Sequence, residues 1–271
     1  MHAIRGELTH TTFCETMKVF YPRPAERISS YVQSILVIED APVKRPFLMP
    51  LFANGMPALM FSTAVARIGS VSQYLILFGQ TVDPGQLLIG DDFKMVVYFL
   101  KPYALGSLFN ISACELTDQP IGLDLVSGKS ELEEKLLNAP TTNHILQFMD
   151  DYIFRKIRSV RTEDKRLHHA AEKIARVSDK NVLTAVQKEL YVTERTFQRM
   201  FERHIGLSPN LFRRINQFNR AFRQINEDRF VDLSSVAYQN DYADQSHFIR
   251  AFKEFTHCTP SAYLQGRPIP E

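Results

Sequence analysis

Two segments of the chain carry arginine and glutamine side chains at helical spacing. Arg195 and Arg199 are four residues apart with Gln198 beside them, and Gln245 precedes Arg250 in the second segment. Residues three or four positions apart share one face of a helix. Arg can donate two hydrogen bonds to guanine O6 and N7, and Gln pairs similarly with adenine. These side chains are therefore suited to contact base edges or phosphates.

The two segments are copies of one pattern. One pattern occurs twice, with every position shifted by 51. It consists of Phe-x-Arg-x-Phe, six further residues, Ser or Thr, Pro, two residues and an aromatic residue. Six matched positions at one constant offset indicate a structural repeat. The members are Phe197, Arg199, Phe201, Ser208, Pro209 and Phe212 in the first copy, and Phe248, Arg250, Phe252, Thr259, Pro260 and Tyr263 in the second.

Each copy predicts a helix with one apolar and one basic face. The paired phenylalanines form the apolar stripe, and we interpret them as core rather than as rings that stack on bases. Thr193 and Asp244 are suitable N-cap residues, and shorter helical segments precede them at 182–190 and 233–240. A short helix, a tight turn and a second helix with a basic outer face predict a helix-turn-helix, present twice.

A regular apolar pattern joins the two copies and predicts one amphipathic helix of about sixteen residues, roughly 24 Å long. Its outer face is predicted to expose four arginines. A rod of this length would hold the two units apart by something near one turn of B-DNA, ~34 Å. The apolar residues are Leu211, Ile215, Phe218, Phe222 and Ile225, and the arginines are Arg213, Arg214, Arg220 and Arg223.

The first 120 residues are typical of short β-strands separated by Pro and Gly. Such a pattern favours a sandwich or barrel over a parallel sheet, and a small barrel can enclose a pocket. The fold class is therefore α+β, with an N-terminal barrel or sandwich and an all-α C-terminal part. The predicted strands are 31–39, 58–64, 74–79, 86–89 and 94–101.

Helices are predicted after Gly128. Ser130 is a candidate cap for a first segment, and residues 142–159 form a second, whose apolar stripe includes Ile145, Phe148 and Ile153. This stripe could pair two protomers or could pack against the N-terminal strands, and both alternatives stay open. A short helix is also predicted at 104–110.

Charge is distributed unevenly along the chain. Residues 1–154 hold 11 Lys and Arg against 16 Asp and Glu, whereas residues 155–271 hold 21 against 14. The positive C-terminal part suits a polyanionic partner. Three widely separated cysteines (Cys14, Cys114 and Cys258) match neither a disulfide framework nor a zinc site, and favour a reducing cytoplasm. No run of apolar residues reaches the ~20 that a membrane span needs.

Residues from about 165 to 263 resemble the DNA-binding domain of the AraC/XylS family of transcription regulators. The resemblance rests on the segments 194–201 and 206–209 in the first unit, and on Ala237, the segments 244–248 and 250–253, and Thr259-Pro260 in the second. The sequence departs from the family pattern at Tyr191, at Asp241-Tyr242 and at His257. Asp tolerates a left-handed turn, so altered turn geometry is expected only at Tyr191 and His257. The N-terminal strands resemble, more loosely, the cupin-like sensory domains that are often fused to this module.

The resemblance implies a cytoplasmic transcription regulator that binds double-stranded DNA. We expect a cupin-like sensory or dimerisation domain at 1–128, a helical linker at 129–164 and a double helix-turn-helix domain at 165–271. Glu202, which is equivalent to Lys253, would repel phosphate, so the two units should contribute unequally. The predicted DNA-binding residues are Arg195, Thr196, Gln198, Arg199, Arg203, Gln245, Ser246, His247, Arg250 and Lys253.

Catalytic and metal sites are not expected. Residues 1–154 contain only His2, His10 and His144, none of them in a predicted strand, so a cupin-type metal centre lacks its imidazoles. Cys14 and Cys114 lack the basic surroundings of a reactive thiol. We expect no cofactor, a small-molecule effector in the N-terminal part, a homodimer, and RNA polymerase as a candidate partner. The alternative is an enzyme or carrier whose basic half binds RNA or protein.

Overall fold

The computed structural model describes residues 18–39, 47–90, 92–128, 131–161, 164–177, 179 and 181–266. Ser130, His2, His10 and Cys14 lie outside these residues. No helix in the described part of the chain is long and apolar enough to cross a membrane.

An antiparallel sheet fills the N-terminal part of the protein. Its pairing order is β1-β2-β7-β4-β5-β8, while β6 pairs with both β3 and β4. The five predicted strands are present with shifted ends, and three further strands were not predicted. The strands are β1 (Lys18–Phe20), β2 (Val32–Glu39), β3 (Phe47–Leu51), β4 (Ala58–Ile68), β5 (Val71–Phe78), β6 (Gly85–Ile89), β7 (Met95–Leu100) and β8 (Ile121–Gly122).

The sheet bends but does not close. Strand β4 is irregular between Phe61 and Ala66; its first half pairs with β7 and its second half with β6. Within the described residues the pairing path ends at β1 and β8, which do not pair with each other. The α+β class is therefore confirmed, whereas the expected barrel is an open, folded sheet.

Strand β3 was not predicted because its proline, Pro50, was counted among the Pro and Gly residues that separate strands. Pro50 instead lies inside the strand, opposite Gln86 of β6. Proline cannot donate to a ladder and is tolerated on an edge strand. Since β3 pairs only with β6 in the described structure, Pro50 leaves no central hydrogen bond unmade.

Both faces of the sheet are buried. Leu59 and Phe61 point to the face that packs against helices, whereas Ala58 and Met60 point into the bend. Alternation of this kind follows from the two-residue period of a strand. The near-continuous apolar sequence of β4 thus reflects a strand covered on both sides.

Helices follow the sheet, and the first of them pack back onto it. A π-helical turn at Leu105–Phe109 occupies the predicted short helix at 104–110. The helices are α1 (Asp124–Ser127), α2 (Glu131–Leu137), α3 (Thr142–Arg158), α4 (Lys165–Arg176), α5 (Val182–Leu190), α6 (Glu194–Ile205), α7 (Pro209–Asn226), α8 (Leu233–Gln239), α9 (Gln245–Thr256) and α10 (Pro260–Leu264).

The apolar stripe of α3 contacts the N-terminal part of the same chain. Ile145, Met149 and Ile153 are buried in the core that also contains the helix-facing side of the sheet. The Tyr98 hydroxyl of β7 donates to Asp150 Oδ1 at 2.6 Å. This contact favours the packing alternative for the stripe, and a role of α3 in pairing protomers stays a prediction.

Three loops at one end of the sheet are hydrogen-bonded to one another. We call residues 52–56, 79–84 and 113–118 the sheet-end loops. Asn54 N–H donates to Thr81 O at 3.1 Å, and Asp118 Oδ1 accepts from the amides of Val82 and Asp83 at 2.7 and 3.0 Å. The sheet-end loops therefore form one connected surface.

The turn after α6 lies against this surface and requires glycine. Gly206 has a φ of +85°, and a Cβ added there would lie 2.8 Å from the backbone oxygen of Ala113 and 2.9 Å from Thr117 Oγ1. Thr117 Oγ1 also donates to Gly206 O at 2.8 Å. A side chain at 206 would thus meet both backbone strain and a collision.

Replacing this glycine should destabilise the protein more than strain alone does. Gly69 has a φ of +54° with open space around it, so Gly69→Ala should cost only the left-handed strain, about 1 kcal/mol. Gly206→Ala should cost at least about twice as much, because a backbone carbonyl must also move. Thermal unfolding measures the difference, at about 2–4 °C per kcal/mol for a chain of this size. Equal shifts for the two variants would contradict the collision.

Candidate nucleic-acid interface

The first helix-turn-helix unit consists of α5 and α6. Thr193 is the N-cap of α6 and its side chain accepts from Thr196 N–H. Phe197 and Phe201 are buried, as the stripe predicted. Gly206 ends α6 in a left-handed conformation, and Ser208 then caps α7, which begins at Pro209.

The second unit repeats this construction with α8 and α9. Asp244 caps α9 and accepts from His247 N–H at 2.7 Å. Phe248 and Phe252 are fully buried. His257 ends α9 with a φ of 60°, and Thr259 caps α10, which begins at Pro260. Four features therefore recur at an offset of 51 residues: the start of the helix, its two buried phenylalanines, the left-handed residue at its end and the N-cap of the next helix. The predicted sequence repeat is thus also a structural repeat.

The turns of the two units differ by one residue. Tyr191 takes the left-handed conformation two residues before the cap Thr193, whereas Asp241 takes it three residues before Asp244. Tyr191, Asp241 and His257 all have positive φ values, of 54°, 59° and 60°. These positions demand a conformation that glycine adopts most easily, which explains why they stood out as departures from the family pattern.

The side chains predicted to contact DNA lie on the outer surface. All ten residues except His247 are exposed, and Arg199 and Arg250 lie at equivalent places on α6 and α9. His247 is half-buried, with its ring against that of Tyr242 at a centroid distance of 5.3 Å. Nine of the ten predicted side chains are therefore accessible to solvent. The tenth, His247, is partly buried against the turn of the second unit.

Two of the predicted glutamines have partners within the protein. Gln198 Nε2 donates to Glu202 Oε1 at 3.0 Å. Gln245 Oε1 accepts from the Ser234 hydroxyl at 3.1 Å. Each bond fixes the orientation of an amide beside the start or middle of a recognition helix.

The linking helix α7 matches the predicted apolar pattern but not the predicted arginine face. Ile215, Phe218 and Phe222 are buried. The four arginines are all partly buried instead of exposed, because α4, α9 and the sheet-end loops surround the helix. Arg214 pairs with Glu254 of α9, and Arg220 Nη1 donates to Ala175 O of α4 at 3.0 Å.

Arg220 is the most unusual of these arginines. Its Nε and Nη2 atoms are buried and have no hydrogen-bond partner in the described structure. Burial lowers the pKa of its guanidinium, while nearby Asp241 opposes this effect. Burial also lowers the pKa of His204 at the end of α6. The sequence offered no sign that Arg220 would be enclosed, since its spacing placed it on the outer face.

The sheet-end loops contact both units and the helix between them. Ala53 N–H donates to Phe255 O of α9 at 3.3 Å, and Asn219 Nδ2 of α7 donates to Asn54 O at 3.0 Å. Asp83 lies 3.2 Å from His257 Nε2 at the end of α9. With the contact at Gly206, both recognition helices are held at their C-terminal ends, away from the residues that face outward.

No group of three or more His, Cys, Asp or Glu side chains in the described residues is arranged to hold a metal ion. Cys114 is exposed and Cys258 is buried, and burial raises the pKa of the Cys258 thiol.

The cap of the second recognition helix should contribute measurably to stability. Asp244→Ala removes the acceptor for His247 N–H and should cost about 1 kcal/mol. Asp244→Asn keeps an acceptor at this position and should cost only a few tenths of that. Chemical denaturation compares the two variants, and an equal loss for both would show that the charge of Asp244, not its capping bond, is what matters.

Comparison with known proteins agrees with this geometry. A family model described as a helix-turn-helix domain matches residues 186–266. No curated protein matches the chain.

Similar solved structures include those of ToxT from Vibrio cholerae. A 1.65 Å structure of ToxT is 13% identical over 93% of this chain and 99% of ToxT, with a TM-score of 0.49. ToxT bound to an unsaturated fatty acid is 13% identical over 95% of this chain and 99% of ToxT, with a TM-score of 0.48.

The matched residues contain the recognition helices of both units and α7 between them. The repeat in the sequence, its equivalent caps and turns, and the family model agree with one another. The chain therefore carries an AraC-type helix-turn-helix domain over residues 186–266.

Proposed function

We propose that the protein is a sequence-specific DNA-binding transcription regulator. The observation that carries this proposal is the duplicated unit, which exposes Arg199 and Arg250 at equivalent places on two helices packed on a shared helix, α7. In a helix-turn-helix the second helix enters the major groove, where arginine discriminates guanine by about 1–3 kcal/mol.

The two units contribute unequally in this proposal. The outer face of α9 presents Arg250 and Lys253, whereas Glu202 of α6 occupies the place equivalent to Lys253. A carboxylate there opposes close approach to phosphate. The α6 face relies instead on Arg195, Arg199 and Arg203, all of them exposed.

A cavity between the sheet and α7 is the proposed effector site. It has a volume of about 80 Å³ and is lined mainly by apolar side chains, among them Met49, Met60 and Phe222. Asn54, Met56 and Asn219 also line a neighbouring polar cleft of about 340 Å³.

The polar cleft is rich in cations. Lys101, Arg176, Arg220 and Arg223 line it together with one acid, Glu172. Four cationic side chains around one cleft are suited to an anionic group. We therefore propose an effector with a small apolar body and an anionic group.

Effector binding would act through the sheet-end loops. Phe52, Ala53, Asn54 and Thr81 line the cavity, and Ala53 and Asn54 also bind the helical part of the chain. A ligand that moves these residues changes how α9 is held. The ligand regulates DNA binding only to the extent that it binds the two arrangements with different affinity.

The proposal also includes assembly and location. We propose a homodimer that acts in the cytoplasm, with RNA polymerase as a further partner. Duplicated units in one chain suit two neighbouring grooves, and a dimer would double the site.

Loss of the equivalent arginines should weaken DNA binding and reduce its salt dependence. Arg199→Ala and Arg250→Ala each remove one cation, so the slope of log affinity against log salt should become shallower by up to about 1 for each phosphate that is no longer neutralised. Discrimination between operator and mutated operator should fall by about 1–3 kcal/mol if the arginine contacts a base. Fluorescence anisotropy over a salt series, on sites selected from genomic DNA, measures both quantities.

Arg158→Ala is the matched control, since Arg158 is exposed on α3, outside both helix-turn-helix units. Its binding should equal that of the wild type. If neither Arg199→Ala nor Arg250→Ala changes affinity or salt slope, the proposed interface is wrong.

Filling the cavity should abolish the response to an effector. A ligand at 100 times its dissociation constant stabilises the native state by about 2.7 kcal/mol. Ala58 is buried and lines the cavity, so Ala58→Leu should remove this stabilisation while leaving cooperative unfolding intact. Thermal-shift screening of small organic acids measures it, and Arg220→Met should weaken the response to acids more than to their neutral amides. A library without hits on the wild type would contradict the effector site.

A further inference from the structure

Large apolar side chains are most exposed in the two helix-turn-helix units. Within the described residues, Tyr191 is 95% exposed, Val231 93% and Tyr238 85%, each more exposed than any other large apolar side chain there. The other tyrosines of the described residues are buried or partly buried, and Tyr31 and Tyr98 are almost fully enclosed. An aromatic ring left in solvent gives the fold little packing energy, and tyrosine is enriched at interfaces, so these two rings are available to a partner.

Tyr191 lies immediately before the first recognition helix in a conformation that does not suit it. Its φ of 54° and ψ of 42° are left-handed, which is strained for a bulky side chain. It precedes the cap Thr193 by two residues, and exposed Lys188 and Arg195 lie on either side of it in sequence. Backbone strain of this kind is concentrated at functional sites.

Tyr238 lies beside the start of the second recognition helix. It follows Ser234 by four residues on α8, so both side chains share one exposed face. Ser234 binds Gln245, the first residue of α9. Tyr238 therefore shares a face of α8 with a residue that contacts the start of α9.

Each unit thus has one tyrosine beside the N-terminal end of its recognition helix. The two are not equivalent in the repeat, because position 187, equivalent to 238, is a glutamine. Neither hydroxyl is hydrogen-bonded to another of the described residues.

We propose that the Tyr191 and Tyr238 hydroxyls donate hydrogen bonds to DNA backbone phosphates that border the grooves entered by α6 and α9. The inference rests on the proposed function. Half or more of protein–DNA hydrogen bonds go to the backbone, and tyrosine is among the side chains that make them. In a helix-turn-helix the first helix crosses the backbone, which is where Tyr238 lies on α8.

DNA fits these tyrosines better than an apolar protein surface does. The exposed side chains closest to Tyr191 in sequence include Lys188, Arg195 and Thr196, and Ser234, one turn before Tyr238 on α8, binds Gln245. A phosphate oxygen accepts the hydroxyl proton and is attracted by the neighbouring cations. The two rings are in different units, so they do not form one apolar patch.

The test removes only the hydroxyl groups. Tyr191→Phe and Tyr238→Phe should each weaken binding of the full-length protein about three- to tenfold. Operator and random-sequence DNA should be affected by the same factor, because phosphates carry no sequence. The salt slope should stay at the wild-type value, since a neutral side chain releases no counterion. This last result separates the tyrosines from the arginines.

Leu125→Ala is the control, because Leu125 is 79% exposed and lies in the short helix α1, outside both units. It should bind DNA as the wild type does. Melting temperatures of all variants should match that of the wild type.

The possible failures are distinct. If the wild type binds no DNA specifically, the proposed function itself fails. If the wild type binds and the double variant Tyr191→Phe, Tyr238→Phe binds equally well, only the present inference is overturned. It is also overturned if the variants melt several degrees lower, because the hydroxyls would then stabilise the fold.

Discussion

The burial of α7 on several sides is the constraint that organises this protein. Its apolar residues, such as Phe218 and Phe222, contact the phenylalanines of α9, and Phe212 contacts Phe201 of α6. On another side Phe222 meets Phe52 of a sheet-end loop at a centroid distance of 5.4 Å. One rod is therefore shared by two DNA-facing units and by the N-terminal part, so the units cannot be repositioned without repacking it.

The shared rod does not make the two units equivalent. Ala53, which binds the carbonyl of Phe255 in the second unit, lines the cavity. Thr117, which binds Gly206 in the first unit, does not. A ligand in the cavity is therefore closer to the support of α9 than to that of α6. Any effect of a ligand in this cavity would therefore reach α9 more directly than α6.

Local and repeated features of the fold could be predicted from the sequence, and features set by distant packing could not. The caps Thr193 and Asp244 were visible because short-range chemistry fixes them, whereas His257 was noted only as a departure from the family pattern. The enclosure of Arg220 was not visible, because it depends on α4, which is distant in sequence. Strand β3 was not predicted for a related reason. A proline such as Pro50 is tolerated within a strand only at the edge of a sheet, and which strand forms the edge depends on the whole sheet.

The apolar interior is continuous from the sheet to both units. Phe61 of β4, Met149 of α3, and Phe201 and Phe252 of the recognition helices belong to a single cluster. The N-terminal part is therefore not packed as a unit separate from the helical part, because the two share one apolar core. If the helical half were produced alone, the side of α7 that faces the sheet would become an exposed apolar surface. The isolated fragment would then be prone to self-association.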